Sequence, residues 1–167
     1  MKKILYLETE KAIAFTGHRI IPLARQEEVR KRLTTAVTLA CKSGMTRFYC
    51  GMALGFDMMA AEVVLSLKDK FPDIQLFAVV PFSGQSTRWV SSEQERYHRI
   101  LAKTDKVVTL SKDYFRGCLL RRNDYMLSHS CSVIAYYDGK PKGGTFYTVR
   151  KAERMKMNVV NICGKRG

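Results

Sequence analysis

Six short runs rich in β-branched and aromatic residues, with helix-periodic segments between them, constrain the fold more than any other feature of the sequence. They are AIAFT (Ala12 to Thr16), RFYCG (Arg47 to Gly51), QLFAVVP (Gln75 to Pro81), KVVTL (Lys106 to Leu110), SVIAYYD (Ser132 to Asp138) and NVVNIC (Asn158 to Cys163). Each is apolar, short and bounded by turn residues, as a strand buried on both faces should be. Between them, Val29, Leu33, Val37 and Ala40 recur on one helical face, and Val149, Ala152 and Met155 do so near the C-terminus. Gly44 and Gly117 punctuate helix ends or starts, and Pro72 follows a helix expected to end near Lys70. Strands alternating with helices pair in parallel through right-handed crossovers. The expected fold class is therefore α/β: an open, doubly wound, mostly parallel sheet of about six strands with helices on both faces. The first ten residues are expected to add a short strand or to cover an edge.

Composition bounds the rest. A chain of 167 residues, 46% of them hydrophobic, is long enough for one domain with a proper core, so residues 1–167 are taken as a single domain. The apolar runs are far shorter than the roughly 20 residues that cross a bilayer, and the charged start MKKILYLETEK lacks an apolar signal region. A cytoplasmic location without membrane contact is the expectation. Five cysteines at 41, 50, 118, 131 and 163 form no CxxC pair, which suits reduced thiols, and Cys118, His129 and Cys131 match no familiar ligand spacing, so no metal is expected. The balance of 29 basic against 15 acidic residues, a formal charge of +14, favours nucleic acid, phosphorylated metabolites or acidic partners. The basic residues are spread along the chain, so charge alone does not choose among these.

In a doubly wound sheet, ligands bind outside the carboxyl ends of the strands, where strand order reverses. The unusual residues of this chain gather at those ends: Thr16, Gly17, His18 and Arg19 after the first run; Gly51, Ala53, Gly55 and Asp57 after the second; Pro81, Gln85 and Trp89 after the third; Asp138, Gly143, Gly144 and Thr145 after the fifth. Glycines here serve either a tight strand-to-helix turn or the approach of an anion to free helix N–H groups. His18 and Arg19 are loop residues that also supply anion donors, and Arg122 and Asn123 are either an exposed helical face or further phosphate and base contacts. Trp89 is a wall residue or a stacking platform for a base. Asp57 and Glu62 are the candidate catalytic carboxylates, set against a helix-start role for Asp57 and a surface role for Glu62. Neither a G-x-G-x-x-G fingerprint nor a P-loop lysine is present.

The blocks FTGHR, GMALGFDMMAAE, VPFSGQSTRW, RRNDYM and IAYYDGKPKGGTFYTVRKA occur in order across nearly the whole chain. Together they resemble the YpsA/YoqJ-like proteins of the SLOG superfamily, named for the Smf/DprA and LOG proteins. The resemblance implies a Rossmann-like domain that binds a nucleotide or nucleotide-derived ligand, with Gly17, Arg19, Gly51, Gly55, Asp57, Gly143, Gly144 and Thr145 as contacts. LOG enzymes, which cleave the N-glycosidic bond of nucleoside monophosphates, are similar through a PGGxGTxxE signature. Here KGGTFYT places Tyr147 and Thr148 where that signature carries acids. The leading expectation is therefore a non-catalytic binding or sensing module, requiring no cofactor, whose bound nucleotide alters contact with a protein partner. A nucleotide hydrolase using Asp57 or Glu62 is the first alternative. A DprA-like single-stranded nucleic-acid binder is the second, and a homodimer is expected by analogy.

Overall fold

The computed structural model describes residues 8–164. Of the first ten residues, expected to add a short strand or to cover an edge, positions 1–7 lie outside the described residues, and Glu8, Thr9 and Glu10 are helical or turn rather than strand. Six strands form one all-parallel sheet: β1 (Ala12–Gly17), β2 (Arg47–Cys50), β3 (Gln75–Val80), β4 (Lys106–Thr109), β5 (Ser132–Tyr136) and β6 (Asn158–Asn161), in the order β4-β3-β2-β1-β5-β6. Five α-helices connect them: α1 (Gln26–Lys42), α2 (Phe56–Leu67), α3 (Ser91–Leu101), α4 (Cys118–Ser128) and α5 (Gly143–Arg154). This is a Rossmann-like α/β architecture, and each of the six runs seen in the sequence carries one strand.

Alternation along the strands divides the core in two, because successive strand residues face opposite sides of a sheet. Ile13 and Phe15, Phe48 and Cys50, Leu76 and Ala78, and Ile134 and Tyr136 pack with Val29, Leu33 and Val37 of α1, the buried face of α2, and Tyr97 and Ile100 of α3. The intervening residues Ala12, Ala14, Tyr49, Val79, Val133 and Ala135 pack with Met126 and Leu127 of α4 and Val149 and Ala152 of α5. The chain builds outward from β1 to β4, then returns to place β5 on the other side of β1. Right-handed crossovers put helices on opposite faces when the direction of winding reverses, which accounts for α4 and α5 lying apart from α1 to α3.

Two expectations are modified. β4 and β6 are edge strands and are largely exposed, with Val107 and Val160 at 45% and 40% exposure, because each has a neighbour on one side only. Met155 follows the last residue of α5 and is exposed, so the apolar face of that helix ends at Ala152.

Candidate functional site

The reversal of strand order falls between β1 and β5, and a cleft of about 430 Å³ opens there at their carboxyl ends. That volume lies within the range of small-ligand sites. From the end of β1 the cleft takes Thr16, Gly17, His18 and Arg19, and from the start of α2 it takes Ala53 and Asp57. α4 supplies Arg122 and Asn123 on its inner face, while the first turn of α5 supplies Gly143, Gly144 and Thr145.

The α5 terminus is unusual in its chemistry. Its N-cap is Lys142, whose side chain cannot accept a hydrogen bond, and its first turn holds no acid. Helices normally begin with Ser, Thr, Asp or Asn and favour negative charge there. Here Gly143, Gly144 and Thr145 give their N–H groups to no other group among the described residues. Arg19 and Lys142 are exposed and form no ion pair among the described residues. α4 likewise starts at Gly117 with no side-chain cap and no acid in its first turn. Two helix starts and two cations outside any ion pair among the described residues therefore give this side of the cleft a positive field, set against the Asp57 carboxyl in its lining.

Its floor is buried and charged. Asp57 is 5% exposed; its Oδ2 accepts the Ala53 N–H at 3.2 Å, and burial pushes its carboxyl up to about 6 against the opposing pull of Arg122, the Ala53 hydrogen bond and Arg19. Arg122 is also 5% exposed, and burial lowers its guanidinium from the ordinary value while Asp57 pulls the other way. Its Nη1 donates to the Gly51 carbonyl at 2.6 Å and to Gln85 Oε1 at 3.3 Å, and its Nε donates to Asn123 Oδ1 at 2.8 Å. Gln85 Nε2 donates to the carbonyls of Gly51 and Met52. Arg122 and Gln85 together brace the loop after β2, where buried Met52 holds φ 58°, a left-handed conformation that costs a non-glycine residue energy.

The glycines divide by what fills the space beside them. A Cβ on Gly51 would stand 2.7 Å from Arg122 Nη1, one on Gly17 2.4 Å from the Phe56 ring, and one on Gly55 2.1 Å from the Arg19 carbonyl oxygen. Those three admit the protein's own groups. At Gly143 nothing lies within 4 Å, and at Gly144 only Asn123 Nδ2 does, at 3.7 Å, so these two leave space at the helix start.

Other sequence candidates sit beside the cleft rather than in its lining. Asp138 meets His18 at the end of β5, where His18 Nε2 lies 3.0 Å from the Asp138 N–H and 3.1 Å from its Oδ1. The first contact uses Nε2 as acceptor and the second as donor, so the tautomer decides between them. Pro81 is buried, and Trp89 packs edge-on against Tyr97 at 5.2 Å and lines the core under α3. Glu62 lies on α2 and is held by Arg96 and, at 3.5 Å, by Arg30. Cys118 is the first residue of α4 whereas Cys131 follows the helix's C-terminal end, and no cluster of three metal-ligating side chains exists among the described residues. No helix of the described residues is long and apolar enough to cross a membrane.

Sequence reasoning passed over Tyr114, Leu119, Leu120 and Met126, which wall the cleft on the α4 side, and Lys142. Lys142 was visible as a cation directly before GGT, whereas the α4 wall depends on how that helix lies across β1.

Comparisons with known proteins agree with this architecture. The model of the YpsA family, described as the YspA SLOG family, matches residues 13–162. A UPF0398 protein of Halalkalibacterium halodurans is 29% identical over 128 residues, covering 75% of this chain and 68% of that one. A UPF0398 protein of Bacillus velezensis is 23% identical over 155 residues, covering 87% and 85%. Among solved structures, DNA processing protein A from Helicobacter pylori, described for its single-stranded DNA binding mode, superposes with a TM-score of 0.65 at 21% identity, over 95% of this chain and 67% of that one. With the match spanning the sheet from β1 to the end of β6, the chain belongs to the YspA SLOG family.

Proposed function

We propose that the cleft binds a nucleotide or nucleotide-derived anion, with a phosphate seated on the first turn of α5, and that the bound state is read by a protein partner. The observation that carries this reading is the α5 start: three free N–H groups, a lysine at the cap position and open space at Gly143 and Gly144. Arg19 adds a bidentate donor from the facing loop.

Thermal shift against nucleoside mono-, di- and triphosphates and dinucleotides tests it, with Gly144→Asp as the control. A ligand at a hundredfold excess over its Kd raises stability by about 2.7 kcal/mol. Gly144→Asp is expected to abolish the shift while changing the protein's own stability by less than about 1 kcal/mol, since an acid in the first helical turn suits the dipole but repels an anion. A shift that persists in this variant would remove the phosphate from α5. Assaying the retained ligand for turnover distinguishes a binding module from a hydrolase in which Asp57 serves as acid or base.

A second reading has its own support. Tyr114 and Phe115 are 64% and 41% exposed on the loop before α4; Tyr114 reaches the cleft, and the Arg121 guanidinium lies 5.8 Å from the Phe115 ring centre. Exposed aromatics among cations suit the stacking of unpaired bases, and the Helicobacter pylori neighbour is described as binding single-stranded DNA. Oligonucleotide affinity that falls steeply with salt and is lost in a Tyr114→Ala, Phe115→Ala double variant would support this reading; affinity indifferent to both would dismiss it.

A further inference from the structure

We propose that Asp57, Arg122 and Asn123 form a surface that reads the vicinal hydroxyls of a pentose attached to the phosphate, so that the ligand class is a ribonucleotide rather than any phosphorylated anion. The inference rests on the phosphate seat at α5.

All three side chains are more than nine-tenths buried, and each has one polar atom without a partner among the described residues. Asp57 Oδ2 is engaged and Oδ1 is not; Arg122 uses Nε and Nη1 but not Nη2; Asn123 accepts through Oδ1 while Nδ2 donates to nothing. Enclosing such atoms without a partner is costly and rare, so each is expected to face either a partner or open space. The described side-chain atoms that are fully enclosed and make no hydrogen bond are Glu93 Oε2, which still pairs with Arg96 at 3.5 Å, and Ser130 Oγ. The three free atoms therefore reach open space, and the space that all three residues line is the cleft.

The combination is one acceptor beside two donors. A hydroxyl both donates and accepts, so a vicinal pair satisfies it: the O–H groups donate to Asp57 Oδ1, and their lone pairs accept from Arg122 Nη2 and Asn123 Nδ2. Position favours a sugar over a base edge. Asn123 Nδ2 stands 3.7 Å from where a Gly144 side chain would begin, so this floor is contiguous with the phosphate seat. In a 5′-nucleotide the group next to the phosphate is the pentose. The base then extends toward Tyr114, Leu119 and Leu120, which offer apolar contact.

Calorimetric titration of the four common ribonucleoside 5′-monophosphates, each against its 2′,3′-dideoxy counterpart, with inorganic phosphate alongside, tests the assignment without altering the protein. At least one ribonucleotide is expected to bind tenfold or more tightly than its dideoxy counterpart, since the analogue leaves a buried carboxylate and two donors unanswered. In Asp57→Asn that ratio should fall toward one. Equal affinity for the two sugars in the wild type would overturn the hydroxyl assignment and leave the phosphate seat standing. An undiminished ratio in Asp57→Asn would overturn the role of Asp57. Failure of every nucleotide and of phosphate to bind would take down the seat and this inference together.

Discussion

Asp57→Asn is expected to stabilise the protein above about pH 6, by as much as about 3 kcal/mol, and to have no effect below about pH 4. The folded carboxyl titrates at about 6 and an unperturbed one at 3.8, with burial as the largest cause. Between those values the folded state holds a proton that the unfolded chain has released. Stability therefore declines as pH rises through this window, the penalty is complete above about 6, and it vanishes once both states are protonated. Asn keeps an oxygen for the Ala53 N–H and never ionises. For a chain of this size the gain at pH 8 corresponds to a rise in Tm of roughly 6–12 °C. Denaturation of the two proteins at pH 4, 6 and 8 measures it. A variant that is less stable than the wild type at pH 8 would mean that the ionised carboxylate is held by more than the structure shows. A stabilising substitution at a residue lining the cleft is the signature of a group retained for function at a cost in stability.

The second large effect is destabilising. Gly55→Ala is expected to lower stability by roughly 3–5 kcal/mol, because strain and steric overlap coincide there. Gly55 has φ 78° and ψ −116°, and its added Cβ would lie 2.1 Å from the oxygen and 2.4 Å from the carbon of the Arg19 carbonyl. Those are backbone atoms, and the segment is tied to α2 by the Phe56 N–H bond to the His18 carbonyl at 3.1 Å, so neither side yields easily. Gly143→Ala is the matched comparison. It has a similar φ of 91° but nothing within 4 Å, so only the left-handed penalty of about 1–2 kcal/mol applies. Urea midpoints at unchanged m-value separate the two. Equal losses would show that the loop after β1 relaxes to accept a side chain, and that its contact with Gly55 does not set the cleft's shape.

The architecture was legible because its signals are local. A strand buried on both faces must be short, apolar and flanked by turn residues, and AIAFT, RFYCG and SVIAYYD satisfy that wherever they end up. The same locality placed Gly143, Gly144 and Thr145 at a helix start after a strand. Exposure of the outer strands was not legible, since KVVT and NVVN carry as much β-branched character as inner strands and become edges only through their place in the order.

The sequence by itself determined the six strands, their parallel alternation with helices and the carboxyl-end clustering of glycines and cations, because each follows from side chains within a few residues of one another. The tertiary structure alone decided which of those residues share a cleft. Strand order set β5 beside β1 and so brought the α5 start against Arg19 and Asp57, more than a hundred residues apart from it in the sequence for the former and 86 for the latter at Gly143. It also filled the hollows beside Gly51 and Gly55 with Arg122 and the Arg19 backbone, and turned Trp89 toward Tyr97. Those outcomes depend on which distant surfaces meet and exclude water between them, and no pattern confined to neighbouring residues carries that information.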